Sequence, residues 1–274
     1  MKETIAILGF GNMGSAIAQQ LENKFTISVF DKDLDKTKDL SAIVVANRIA
    51  DLVINADTII LAIKPQDLYA VLDEIRLELK NKLLISVAAG ITTDYLKKRL
   101  GKVRIIRAMP NLPAKIGLGM ICLAKGEFSS QQDLEFSEGL FRNLGKTLLI
   151  EESLMDAATA VSGSGPGYLY YLLEGKDIAE AKIYTRDVFI PALFESAKKI
   201  GFTERQANIL SQTTGVGSLL FLEKTGVSPK ELKAQVASKG GTTQAGLDVL
   251  QTGGSLEDAV KAALLRAGEL SKKE

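Results

Sequence analysis

Short apolar runs alternate with longer stretches of helical spacing through the first half of the chain. Residues 5–8 (I-A-I-L), 26–30 (T-I-S-V-F), 56–65 (A-D-T-I-I-L-A-I-K-P), 83–90 (L-L-I-S-V-A-A-G) and 104–113 (R-I-I-R-A-M-P-N-L-P) read as strands. Their near-continuous apolar character suits parallel strands covered on both faces, which need no alternation. Residues 120–124 and 146–150 add two further strand-like runs, and residues 15–21, 68–79 and 131–144 read as helices. In the first of these helices, Ile17 and Leu21 stand at i and i+4. Strand and helix in alternation predict a parallel sheet with helices on both faces. After about residue 151 the strand runs stop. Residues 153–161, 168–181, 188–200, 204–225, 228–237, 242–251 and 256–271 all have helical patterns. An α/β domain over residues 1–150 and an all-α domain over 151–274 are therefore expected. A helical unit of this kind often covers its apolar faces with a second copy.

The first strand runs into Gly9-Phe-Gly-Asn-Met-Gly14, which is G-x-G-x-x-G between a strand and a helix. Each glycine has a mechanical role in a Rossmann-type fold: Gly9 allows the tight turn, Gly11 admits a pyrophosphate, and Gly14 lets helix and strand pack closely. The helix start offers unpaired N–H groups to the phosphates. Asp31 closes the second strand, seventeen residues beyond Gly14. That is where an acid holds the ribose 2′-OH of NAD. Lys32 beside it offers a cation for the 2′-phosphate of NADP, and Asp31 as a plain cap of the next segment is the alternative.

Composition narrows the chemistry. Lys and Arg number 34 against 33 Asp and Glu, a net charge of +1 that does not point to nucleic acid. The single cysteine, Cys122, allows no internal disulfide and fits a reducing compartment. No apolar run has the length of a membrane span, and a strand at the very start leaves no room for a signal peptide, so a cytoplasmic protein is expected. There is no histidine. Histidine acid–base catalysis and histidine–zinc sites are thereby excluded, and no metal site is expected.

Two glycine-rich stretches interrupt the helical half. Residues 161–168 (V-S-G-S-G-P-G-Y) form a tight loop that opens a helix at Tyr168. In residues 236–243 (V-A-S-K-G-G-T-T), Gly240 and Gly241 can expose successive N–H groups, with Thr242 or Thr243 capping the next helix. Such a nest suits a carboxylate or phosphate. Ordinary helix–helix turns are the plainer reading of both.

The motifs R-A-M-P-N-L-P (107–113), A-V-S-G-S-G-P (160–166) and S-K-G-G-T-T (238–243) together resemble the Δ1-pyrroline-5-carboxylate reductase family. A-I-K-P (62–65), S-V-A-A-G (86–90) and L-E-K-T-G (222–226) match in the same order, so the resemblance spans nearly the whole chain. It implies a Rossmann-type domain followed by a helical dimerisation domain. It also implies reduction of the cyclic imine pyrroline-5-carboxylate to L-proline by NADPH or NADH, the last step of proline biosynthesis. The family forms intertwined dimers, often gathered into decamers. A protonated imine accepts hydride readily, so positioning and a proton at nitrogen are what remains to be supplied.

By the same resemblance, Ser238, Gly240, Gly241, Thr242 and Thr243 bind the substrate carboxylate, and Thr243 meets the ring nitrogen. Leu8, Gly9, Phe10, Gly11, Asn12 and Met13 hold the cofactor phosphates. Ala62, Ile63, Lys64 and Pro65, with Val87, Ala88 and Ala89, line the nicotinamide side, and Asn47 is a further cofactor contact. Three departures stand out. Lys239 replaces a proline, Gly167 replaces an alanine, and residues 175–191 are extra, with Pro191 expected to break or deflect the helix. A related imine or β-hydroxyacid oxidoreductase shares the plan. The latter needs a lysine after the central glycine motif, where Tyr168-Leu-Tyr-Tyr-Leu-Leu has none. A catalytically silent NAD(P)-binding paralogue is the remaining alternative.

Overall fold

The computed structural model describes residues 2–38, 40 and 43–272, without the side chains of Pro65 and Gln66. From the N-terminus the chain runs β1 (Thr4–Leu8), α1 (Asn12–Leu21), β2 (Thr26–Phe30), β3 (Val44–Val45), α2 (Ile49–Ile54), β4 (Thr58–Leu61), α3 (Pro65–Ile75), β5 (Leu83–Ser86), α4 (Thr93–Leu100), β6 (Arg104–Met109), β7 (Gly119–Lys125), α5 (Gln131–Phe141) and β8 (Gly145–Leu149). Helices follow: α6 (Met155–Ala158), α7 (Gly165–Leu172), α8 (Ile178–Tyr184), α9 (Ile190–Lys199), α10 (Glu204–Thr225), α11 (Pro229–Val236), α12 (Thr242–Gln251) and α13 (Leu256–Lys272).

The eight strands are ordered β3-β2-β1-β4-β5-β6-β7-β8, and every pair from β3 to β6 is parallel. Ile7 sits opposite Val29 on one side and Ile60 on the other, and all three are fully buried. This is why the apolar runs carry no alternation: both faces of the sheet are covered. The order reverses at β1, whose neighbours are β2 and β4. Ligands in such sheets bind outside the carboxyl ends of the strands at this reversal. The expected class, a Rossmann-type parallel sheet followed by a helical domain, is what the chain forms.

Two compact units divide the chain. One holds Met1–Ala108 and Leu123–Leu144, and the other holds Met109–Cys122 and Gly145–Glu274. Met109–Cys122 is thus counted with the helices.

In the second unit the extra segment behaves differently from the proline-based expectation. The helical path breaks at Gly175, whose φ is +80°, a conformation that favours glycine. It restarts at α8, which Asp177 and Glu180 cap reciprocally. From Ile178 to Lys199 the chain then stays helical straight through Pro191. The turn just before it, Thr185–Phe189, is wound wider, and Ile190 N–H bonds to the Thr185 carbonyl five residues back. A π-type turn accommodates the proline, which has no N–H to give.

Candidate functional site

In the first unit, the glycine-rich turn is built by close approach. Gly9 has φ +95°, and a Cβ there would lie 2.5 Å from the Ala62 carbonyl oxygen. A Cβ on Gly14 would overlap the Gly9 carbonyl, whereas Gly11 faces open space. Gly11 is also the N-cap of α1, and no side chain caps this helix start. The turn is fastened to its neighbours by Gly9 N–H to the Phe30 carbonyl and Ala62 N–H to the Leu8 carbonyl, both 2.8 Å.

A cavity of about 320 Å³ opens here, lined by Leu8, Gly9, Gly11, Asp31, Lys32, Ala62, Ile63 and Lys64 among the residues expected at a cofactor site. Phe30, Lys36, Ile49, Asp67 and Val71 also line it and carry no signal in the sequence motifs. Asp31 is only 8 % exposed. Its Oδ2 accepts from Phe10 N–H at 2.6 Å, and its Oδ1 accepts from Asp33 N–H at 2.9 Å and from Lys36 Nζ at 3.1 Å. Burial pushes the carboxyl upward, but the two backbone N–H groups and Lys36 outweigh it and hold it below the ordinary carboxylate range. Asp31 therefore braces the glycine-rich turn as well as facing the cavity. Lys32 is exposed and pairs with Asp67 at 2.7 Å.

The other expected residues are placed less uniformly. Phe10 is buried behind the turn, while Asn12, Met13 and Gly14 form the first turn of α1. Val87, Ala88 and Ala89 follow the carboxyl end of β5, with Val87 N–H bonded to the Leu61 carbonyl at 3.0 Å. Asn47 is exposed two residues beyond β3 and does not line the cavity. Pro65 is the first residue of α3, and its side chain lies outside the described residues. The fit to a dinucleotide is good: open space at Gly11, an uncapped helix start and two cations, Lys32 and Lys36, on the cavity wall.

In the second unit, Ser238 and Gly241 close a turn with Gly241 N–H on the Ser238 carbonyl at 2.9 Å. Gly241, not a threonine, is the N-cap of α12, and no side chain caps that helix. By contrast α4, α5, α8, α10 and α11 all start on a Ser, Thr or Asp side-chain cap. Thr242 and Thr243 turn their hydroxyls elsewhere, to Ser164, at 3.1 and 3.0 Å. Gly240 and Lys239 are exposed. Arg266 on α13 donates to the Gly240 carbonyl at 2.8 Å, a cation that no sequence motif points to. The one cysteine takes no part: Cys122 is fully buried, and burial pushes its thiol up to about 12. Among the described residues, no cluster of Cys, Asp and Glu is placed to hold a metal, and no helix is long and apolar enough to cross a membrane.

A cavity beside a glycine turn at the switch point of a parallel sheet is the arrangement of the NAD(P)-dependent oxidoreductases, among which the chain is placed. Residues 4–90 match the family described as NADP oxidoreductase coenzyme F420-dependent, and residues 186–273 match the family described as pyrroline-5-carboxylate reductase dimerisation. A pyrroline-5-carboxylate reductase of Methanosarcina acetivorans is 32% identical over 280 residues, covering 98% of this chain and 97% of the relative. The chain belongs to the pyrroline-5-carboxylate reductase family. Its fold is also that of a pyrroline-5-carboxylate reductase structure from Coxiella burnetii, with TM-score 0.65, 30% identity and 99% of each chain covered. The Plasmodium falciparum enzyme, solved with NADP bound, has TM-score 0.64 and 26% identity, covering 98% of this chain and 99% of that one.

Proposed function

We propose that the protein reduces 1-pyrroline-5-carboxylate to L-proline with NADPH or NADH, closing proline biosynthesis. The observation that carries this reading is the start of α12: an uncapped helix N-terminus behind a glycine turn, with Thr243 buried beside it, in a chain of this family. A helix N-terminus of this kind attracts a carboxylate. Ser238, Gly240, Gly241, Thr242 and Thr243 take the substrate carboxylate, and Thr243 faces the ring nitrogen. Arg266, paired with Glu269 at 2.7 Å, braces the Gly240 carbonyl of the same loop.

The cofactor is assigned to residues 1–150 and the substrate to residues 151–274. Leu8, Gly9, Phe10, Gly11, Asn12, Met13 and Gly14 hold the pyrophosphate, and Asp31 and Lys32 meet the adenosine ribose. Residues 62–65 and 87–89 line the nicotinamide, with Asn47 a peripheral contact. The reduced nicotinamide supplies the hydride. The protein binds and orients the imine, which needs no nucleophile once its nitrogen is protonated. The helical unit associates with a second copy, as its match to the dimerisation family supports. An intertwined dimer, decamers built from it and a cytoplasmic location complete the proposal.

Oxidation of NADH and NADPH by the purified protein, with and without pyrroline-5-carboxylate, tests the reading. Imine-dependent oxidation yielding proline is the expected result. Nucleotide binding without turnover on either cofactor would leave a silent paralogue in its place.

A further inference from the structure

Ser164 is the N-cap of α7, yet its hydroxyl caps nothing on that helix. It is fully buried and lies between two threonines of the α12 start, 3.0 Å from Thr243 Oγ1 and 3.1 Å from Thr242 Oγ1. The Thr243 hydroxyl donates to Ser164. A serine hydroxyl has one proton and two lone pairs. Having accepted from Thr243, Ser164 keeps its own proton, with Thr242 Oγ1 at 3.1 Å and the Tyr168 phenol as its neighbouring oxygens. The Thr243 methyl group is fixed as well. It sits against Gly167, where a Cβ would come within 2.5 Å of it. Both branches of the Thr243 side chain are therefore set from α7, at a residue that is itself 6 % exposed. Tyr168, the titratable side chain one turn further along α7, is fully buried, and burial pushes its phenol well above the ordinary value.

Resting on the proposed imine reduction, we propose that Ser164 is a positioning residue that takes the Thr243 proton, so that the Thr243 oxygen faces the substrate ring as an acceptor. A neutral imine nitrogen is itself an acceptor and is mismatched there. A protonated imine offers an N–H and is matched. In the reaction the imine carbon gains the hydride, the C=N π pair becomes the nitrogen lone pair, and the nitrogen keeps its proton throughout. The resulting amine then takes one further proton from water. Ser164 thus selects the protonation state of the substrate that accepts hydride best.

The test is a binding measurement on the full protein saturated with NADP+, using three ring acids titrated calorimetrically. L-proline carries a donor at the ring position, tetrahydrofuran-2-carboxylate carries an acceptor, and cyclopentanecarboxylate carries neither. Wild type should prefer proline over the oxygen acid, and Ser164→Ala should cut that preference by about tenfold, because the freed Thr243 hydroxyl can turn and donate. Thr243→Ala should bring the oxygen and carbon acids level. Ser164→Cys, which fills the site with a slightly larger atom and accepts weakly, should move the ratio the same way, and it serves if the alanine variant does not fold. A ratio unchanged in the serine variants, or a wild type that binds the oxygen acid as tightly as proline, overturns the inference. A wild type that binds none of the acids and shows no imine-dependent oxidation removes the functional reading and this inference with it. Turnover that persists with an unmoved ratio removes the inference alone.

Discussion

Asp31 joins two duties that pull in different directions. Its carboxylate braces the Phe10 N–H of the glycine-rich turn and faces the cofactor cavity beside Lys32 and Lys36. Because its folded pKa lies below the ordinary value, the stability it adds is complete above the normal carboxylate range and is lost as the pH falls through the folded value. Asp31→Asn should cost about 1–3 kcal/mol at neutral pH and flatten the loss of stability on acidification, measured by urea denaturation at a series of pH values. Asp31→Ser should raise NADPH use relative to NADH, since it removes negative charge where two lysines remain. An unchanged ratio of kcat/KM values would take Asp31 out of cofactor choice. For Thr243→Ala, a fall in kcat of about tenfold or more with little change in NADPH affinity is expected. Equal losses in both would make Thr243 a packing residue.

At the scale of elements, helix crossings rest on glycines. A Cβ on Gly215 of α10 would overlap Ile190, and one on Gly246 of α12 would come within 2.6 Å of the Tyr168 ring. Gly215→Ala should destabilise the protein by about 1–3 kcal/mol through overpacking, read as a lower denaturation midpoint with unchanged slope. What was legible in the sequence follows from range. The parallel strands and the glycine turn are local patterns, and residues 5–14 alone contain the strand, the spacing and the helix start. The helix through Pro191 was not legible, because the rule that proline breaks a helix does not count the wider turn that absorbs it. Nor was the role of Ser164, which meets Thr243 across 79 residues, or that of Arg266, which meets Gly240 across 26. Lys36 reaches the cavity only because residues 34–36 form a tight turn after Asp31, and no periodicity marks that.

Across the whole molecule, apolar side chains left exposed on the helical unit point to self-association. Val216 on α10, Ile183 on α8, Leu265 on α13 and Val188 are 44, 57, 71 and 48 % exposed. Val216→Glu should shift the sedimentation profile toward lighter species, whereas an unaltered profile would place Val216 outside the contact. The two compact units also interleave along the chain, with borders at 108/109, 122/123 and 144/145. Neither unit is one continuous length of polypeptide. During synthesis the first unit lacks its last piece until residue 144 has left the ribosome, by which time residues 109–122 have already emerged as a part of the second. Any single crossover between this gene and a relative's, wherever it falls, would leave at least one unit assembled from both parents. A clean exchange of the first unit needs the outer pieces moved together while residues 109–122 stay behind.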